Sequence, residues 1–104
     1  MPFTVYRAEY GNACRMPNWR FPQFDWDDGN IEHLIQRHNV FPDEVEDVFA
    51  NRTIVRRVGS SYEVLGRDAG GRYLFLVCVE RFGRIRVFSA RDMNDSERRR
   101  YARN

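Results

Sequence analysis

Apolar residues recur along this chain in two rhythms. From residue 30 to residue 49 they fall at helical spacing. Ile31, Leu34 and Ile35 share one face of a helix predicted over residues 30–38, which Asn39 is placed to terminate. Pro42 suits the first turn of a second helix, Asp43 and Glu44 favour its positive end, and Val45, Val48 and Phe49 form its apolar stripe. Phe41 at the cap position offers no side-chain acceptor, so that start is weakly capped.

Beyond Arg52 the rhythm becomes that of strands, predicted over residues 53–58, 62–67, 72–80 and 84–91. Gly59, Gly70-Gly71 and Gly83 mark the turns between them. Loops this short join antiparallel neighbours, so the strands form a meander. The unbroken apolar run at residues 74–79 predicts a central strand covered on both faces. A last helix is expected from about Asn94, where Asn94 and Glu97 have capping-box spacing, and Arg98, Arg99, Arg100 and Arg103 load it with charge. The fold class is α+β: two N-terminal helices, a curled four-stranded antiparallel sheet and a C-terminal helix.

Residues 1–22 stand apart as an N-terminal arm, leaving 23–104 as the folded domain. Pro2, Gly11, Pro17 and Pro22 punctuate the arm, with a short strand expected at residues 3–6 and docking through Trp19 and Phe21. The arm is expected to cover a sheet edge or dock a partner. Phe24-Asp25-Trp26 reads as a short strand or an extended lead-in.

Composition narrows the chemistry. A chain of 104 residues with 42% hydrophobic content builds one core without disulfides or metal. All 17 basic residues are arginine, which removes lysine as base or Schiff-base nucleophile. A GC-rich genome explains such usage, and so does bidentate phosphate contact. Residues 1–50 carry a net charge of −5 and residues 51–104 one of +7. That asymmetry fits an anionic partner, or an acidic helix packed on a basic sheet. Cys14 and Cys78 are too few for a disulfide framework, and Cys78 in its apolar run is expected as a buried thiol. The chain shows no secretory signal and no apolar stretch near the ~20 residues of a membrane helix. A cytoplasmic protein is expected. No phosphate-binding loop, zinc spacing, dinucleotide fingerprint or nucleophile triad is present, so no cofactor or metal is expected.

A facing argument locates candidate chemistry. If Glu80 pairs with Arg84 across a three-residue loop, then Phe75, Val77, Val79, Ile85 and Val87 share the core face. Leu74, Leu76, Cys78, Glu80, Arg84, Arg86 and Phe88 share the other. Pairing of Arg67 with Arg72 adds Glu63 and Leu65 to the second face. Carboxylates beside guanidiniums suit phosphodiester cleavage: Glu80 as base for a 2′-hydroxyl, Arg84 and Arg86 as phosphate clamps. Plain cross-strand ion pairing on a solvated face is the alternative.

His33 and His38 lie five apart and are not expected to share a helix face or a metal. His38 is a candidate acid or base, its protonated form favoured by the helix end, or else a helix-terminating contact. Arg67, Arg72 and Arg91 are expected at the opposite sheet end from Arg81, holding RNA phosphates or pairing with Asp68 and Asp92. Tyr101 either packs the last helix or stacks on a base.

Several of these segments resemble the BrnT toxins, relatives of the RelE-type ribonucleases. They are Phe24-Asp25-Trp26-Asp27, Arg37-His38-Asn39-Val40, residues 42–49, Tyr62-Glu63-Val64-Leu65-Gly66-Arg67, Glu80-Arg81, residues 84–91 and Glu97-Arg98-Arg99-Arg100-Tyr101. The likeness spans roughly residues 24–101. It implies a RelE-like fold and a metal-independent endoribonuclease that arrests translation, with ribosome contact as a further expectation. It also implies a small DNA-binding, BrnA-like antitoxin as partner, the pair repressing its own operon. Carried over, it implies Glu80, Arg81, Arg84, Arg86, Arg91 and His38 as site residues. Asn30 stands where the family often has lysine, Leu34 where it often has asparagine, and Asn39 where it has glycine. A catalytically inert relative acting through a protein or RNA partner is the competing reading, and a non-enzymatic nucleic-acid-binding module the third.

Overall fold

The computed structural model describes residues 22–103. The strand expected at residues 3–6, Cys14, Trp19 and Phe21 lie outside them. The elements are α1 (Asp28–His38), α2 (Pro42–Ala50), β1 (Ile54–Val58), β2 (Ser61–Arg67), β3 (Tyr73–Arg81), β4 (Arg84–Asp92) and α3 (Asp95–Arg103). This is the α+β order expected from the periodicities.

Each helix start has a chemical reason. Asp27 caps α1: its carboxylate accepts the Asn30 N–H at 3.0 Å, while the Asn30 side-chain oxygen accepts the Asp27 N–H at 2.8 Å. Asn39 ends the helix in the left-handed region at φ 54°, its N–H returning to the Ile35 carbonyl. At α2 the Phe41 side chain makes no cap bond, but Glu44 reaches back to accept the Phe41 N–H at 3.0 Å. Asn94 and Glu97 form the reciprocal box at α3, with bonds of 2.8 and 2.9 Å.

The strands form one antiparallel sheet in the order β1-β2-β3-β4. Its fifth edge position is taken by the lead-in. Phe24 bridges Ile85 in parallel sense; Asp25 N–H donates to the Ile85 carbonyl, and Ile85 N–H to the Gln23 carbonyl. Residues 23–25 thus cover the open edge of β4.

The sheet separates two apolar clusters. On one face Leu34, Val40, Val45, Val48 and Phe49 pack on Val55, Val64, Leu74, Leu76, Cys78, Ile85 and Val87. Burying each such aliphatic side chain contributes about 2 kcal/mol, so this is the main core. Gly66 lets α2 approach: a Cβ there would lie 2.6 Å from a Val48 methyl. The other face carries a smaller cluster of Ile54, Leu65, Phe75, Met93 and Tyr101 under α3. Among the described residues, α3 covers only one end of that face.

The register corrects the expected facing. Arg81, not Glu80, pairs with Arg84, across a two-residue turn at Phe82-Gly83. Both turn residues have positive φ, 52° and 77°, as a type I′ hairpin requires. A bulge follows: Val77 pairs with Ser89 but Cys78 with Val87, leaving Phe88 as the extra residue. Arg67 pairs with Tyr73 rather than Arg72. Ile85 and Val87 therefore join Leu76 and Cys78 in the main core, not Phe75 and Val77.

Candidate active site

The open part of the α3-side face has a definable floor and rim. Across the sheet, Arg56, Glu63, Val77 and Ser89 form one rung. The next rung toward α3 is Ile54, Leu65, Phe75 and Arg91. On the other side Val79 faces Arg86, and beyond it Arg81 faces Arg84. Half-buried Val77 and Val79 thus make an apolar floor, bordered by Glu63 and Ser89 and by arginines.

The inner arginines are oriented by carboxylates. Arg56 is ion-paired to Glu63. Arg91 is gripped by both oxygens of Glu97 at 2.8 Å each, and its guanidinium lies 4.1 Å from the Phe75 ring centre. That pair raises the Arg91 pKa and holds the Glu97 carboxyl below its usual value. Arg86 reaches over the β4 edge to Asp27 at 2.9 Å and Asp25 at 3.5 Å. Arg86 in turn lowers the Asp27 pKa, chiefly through their hydrogen bond. A guanidinium has five N–H donors, so each remains able to donate to a phosphate while its carboxylate fixes its direction. Arg81 and Arg84 are exposed and make no ion pair among the described residues.

The structure divides the residues singled out in the sequence. Glu63, Arg81, Arg84, Arg86 and Arg91 share this face. Glu80 pairs with Ile85 and so lies on the opposite face, exposed near the hairpin end. The expected Glu63–Glu80 carboxylate pair does not form, because the β2–β3 register, with Arg67 opposite Tyr73, is shifted by one and places Glu63 opposite Val77. His38 ends α1, its carbonyl turned to Arg72. Burial foremost, then the charges of His33, Arg37 and Arg91, lower its pKa, reversing the expectation that the helix end favours its protonated form. Its ring meets that of His33 at 5.7 Å, although five-residue spacing argued against a shared face.

Tyr101 is buried, with its hydroxyl donating to the Arg52 carbonyl at 2.9 Å and Arg52 stacked 4.0 Å over its ring; it packs α3 onto the sheet. Arg67 lies 4.5 Å over the Tyr73 ring and borders a separate shallow pocket with Asn51, Asp68 and Gly71. Arg72 is structural, bonded to Asp92 and Glu44. Cys78 is the buried thiol expected, its pKa pushed up to about 12 by burial. Arg56 and Ser89 were not singled out in the sequence; only the register brings them beside Glu63.

Asn30, at the position where lysine was expected, is 5% exposed. Besides its capping role its amide donates to the carbonyls of Asp25 at 3.0 Å and Val87 at 3.4 Å. It ties α1 to β4 and takes no place on the open face.

A sequence profile for the family described as "Ribonuclease toxin, BrnT, of type II toxin-antitoxin system" matches residues 26–97. The chain belongs to the BrnT family. Membership brings the general activity, a ribonuclease toxin of a type II toxin–antitoxin system, and with it RNA as substrate and an antitoxin as partner. The BrnT match includes every residue of the open-face rungs and stops before Tyr101. No curated protein matches the chain. Among the described residues no helix is long and apolar enough to cross a membrane.

Proposed function

We propose that this BrnT chain is a metal-independent endoribonuclease that cuts RNA on the open α3-side face and thereby arrests translation in the cytoplasm. The observation that carries this reading is the rung Arg56–Glu63–Val77–Ser89, with Arg91 on one side and Arg86 on the other. A base stands beside cations on a partly apolar floor.

In this reading Glu63, rather than Glu80, is the general base. As the 2′-oxygen attacks phosphorus, a Glu63 oxygen takes the hydroxyl proton. The bond from phosphorus to the 5′-oxygen breaks, and that oxygen takes a proton from solvent. The products are a 2′,3′-cyclic phosphate and a 5′-hydroxyl. Arg56 and Arg91 stabilise the charge that builds on the phosphorane, and Arg84 and Arg86 hold the flanking phosphates. Arg56 also orients the Glu63 carboxylate. His38, Arg67 and Tyr101 take no part in the chemical step, and contact with the ribosome stays open to the same assay.

The test is cleavage of a single-stranded RNA by the purified protein in EDTA, with the product ends identified. Fragments ending in cyclic phosphate are expected. Intact RNA in EDTA that is cut once magnesium is restored contradicts the metal-free chemistry, and intact RNA in both favours the inert relative.

A further inference from the structure

The β3–β4 hairpin tip combines three features that each oppose folding. Phe82 is 96% exposed, the extreme among the large hydrophobic residues described. Its backbone sits at φ 52°, in the left-handed region that L side chains other than asparagine and aspartate rarely adopt. Arg81 and Arg84, the residues flanking the turn, face each other directly across the strands, a like-charge pair with no carboxylate bound among the described residues. An Asn-Gly turn with neutral flanks would relieve all three.

Strain, exposure and repulsion concentrated in four residues mark a contact element. The chemistry of its partner follows from its neighbours. An aromatic ring flanked by two exposed guanidiniums suits a base to stack on and phosphates on either side. The position agrees. Arg81 and Arg84 lie on the same face as Arg86 and Arg91, so the tip continues the line of arginines along β4. At ~3.4 Å per residue, Arg84 to Arg91 spans roughly 20 Å, several nucleotides of extended chain.

We propose that the hairpin tip is a single-stranded RNA grip, in which Phe82 stacks on an unpaired base while Arg81 and Arg84 hold its phosphates. This rests on the reading of the open face as the RNA track and adds a positioning element outside the cleavage centre. Phe82 touches no reacting atom, so its loss weakens binding and leaves the chemical step alone.

The experiment pairs thermal melting with fluorescence anisotropy, using a labelled, non-cleavable 2′-O-methyl single-stranded oligonucleotide. Phe82→Asn is expected to raise Tm, because asparagine suits the turn, and to weaken oligonucleotide binding about tenfold. Phe82→Tyr is expected to keep wild-type affinity. On cleavable RNA, Phe82→Asn raises KM with kcat unchanged. A higher Tm with unchanged Kd overturns the proposal, whether or not the antitoxin then binds Phe82→Asn less well. So does an oligonucleotide that the wild type fails to bind. Wild-type cleavage with Phe82-independent binding removes the tip alone. Phe82-dependent binding without wild-type cleavage keeps the tip and removes the nuclease reading.

Discussion

Glu97 holds Arg91 with both carboxylate oxygens, each 2.8 Å from a guanidinium nitrogen, while also accepting the Asn94 N–H at 2.9 Å. One side chain thus starts α3 and aims an arginine of the open face. The helix and the site are set by the same carboxylate.

The Glu97 carboxyl is held below its usual 4.5, chiefly by its bond to Arg91. A depressed folded pKa contributes stability that is full above the unfolded value and is lost as pH falls through the folded one. Glu97→Gln is therefore expected to cost about 1 kcal/mol at neutral pH, a modest figure because Arg91 is partly exposed. Urea titrations of both proteins should converge as pH falls below about 4.5. A difference that persists unchanged into strong acid would place the effect in the cap rather than the ion pair.

Asn30 sits at the position where a lysine was expected from family resemblance, but here it is buried and bonded to Asp25, Asp27 and Val87 backbone atoms. Asn30→Lys is expected to lose that capping and bury a cation without a partner, costing about 2 kcal/mol or more. Its Tm should fall, and cleavage per folded molecule should not improve. Faster cleavage at unchanged Tm would show that position 30 reaches the open face.

Arg72 joins distant parts: it donates to Asp92 at 2.8 Å, to Glu44 at 3.1 Å and to the Asn39 carbonyl at 2.9 Å. Asp92 is correspondingly held below the usual carboxylate value by Arg72. Arg72→Leu frees both acids and leaves the α1–α2 turn unfastened, at an expected cost of about 2–3 kcal/mol. Urea denaturation measures this. Cleavage by the remaining folded protein should be normal, since Arg72 contacts nothing in the proposed site.

Periodicity made the elements legible because each helix and strand carries its signal locally. The cap at Asn94 and Glu97 was readable for the same reason. Facing was not, because it depends on two single-residue details. Phe82 is an unusual first residue for a type I′ turn, so Phe82-Gly83 did not announce a two-residue loop. The Phe88 bulge has no local signature, yet it decides that Ser89 and Arg91 share the open face with Arg84 and Arg86. Glu63 still meets Arg84 and Arg86 because the β2–β3 and β3–β4 registers both differ by one from expectation. Glu80 depends on the second shift alone and is moved away. The clasp of Arg86 by Asp25 and Asp27 was out of reach for a different reason. It requires knowing that residues 23–25 run parallel to β4.

The central claim is that the open face, with Glu63 as base, is the catalytic surface. It is tested most directly by comparing Glu63→Gln with Glu80→Gln, each checked for native melting, on one single-stranded RNA substrate. Losing the base should slow Glu63→Gln by a hundredfold or more, while Glu80→Gln cleaves at nearly the wild-type rate. A Glu63→Gln enzyme that stays fully active while Glu80→Gln fails would contradict the account and return the site to the helix-side face.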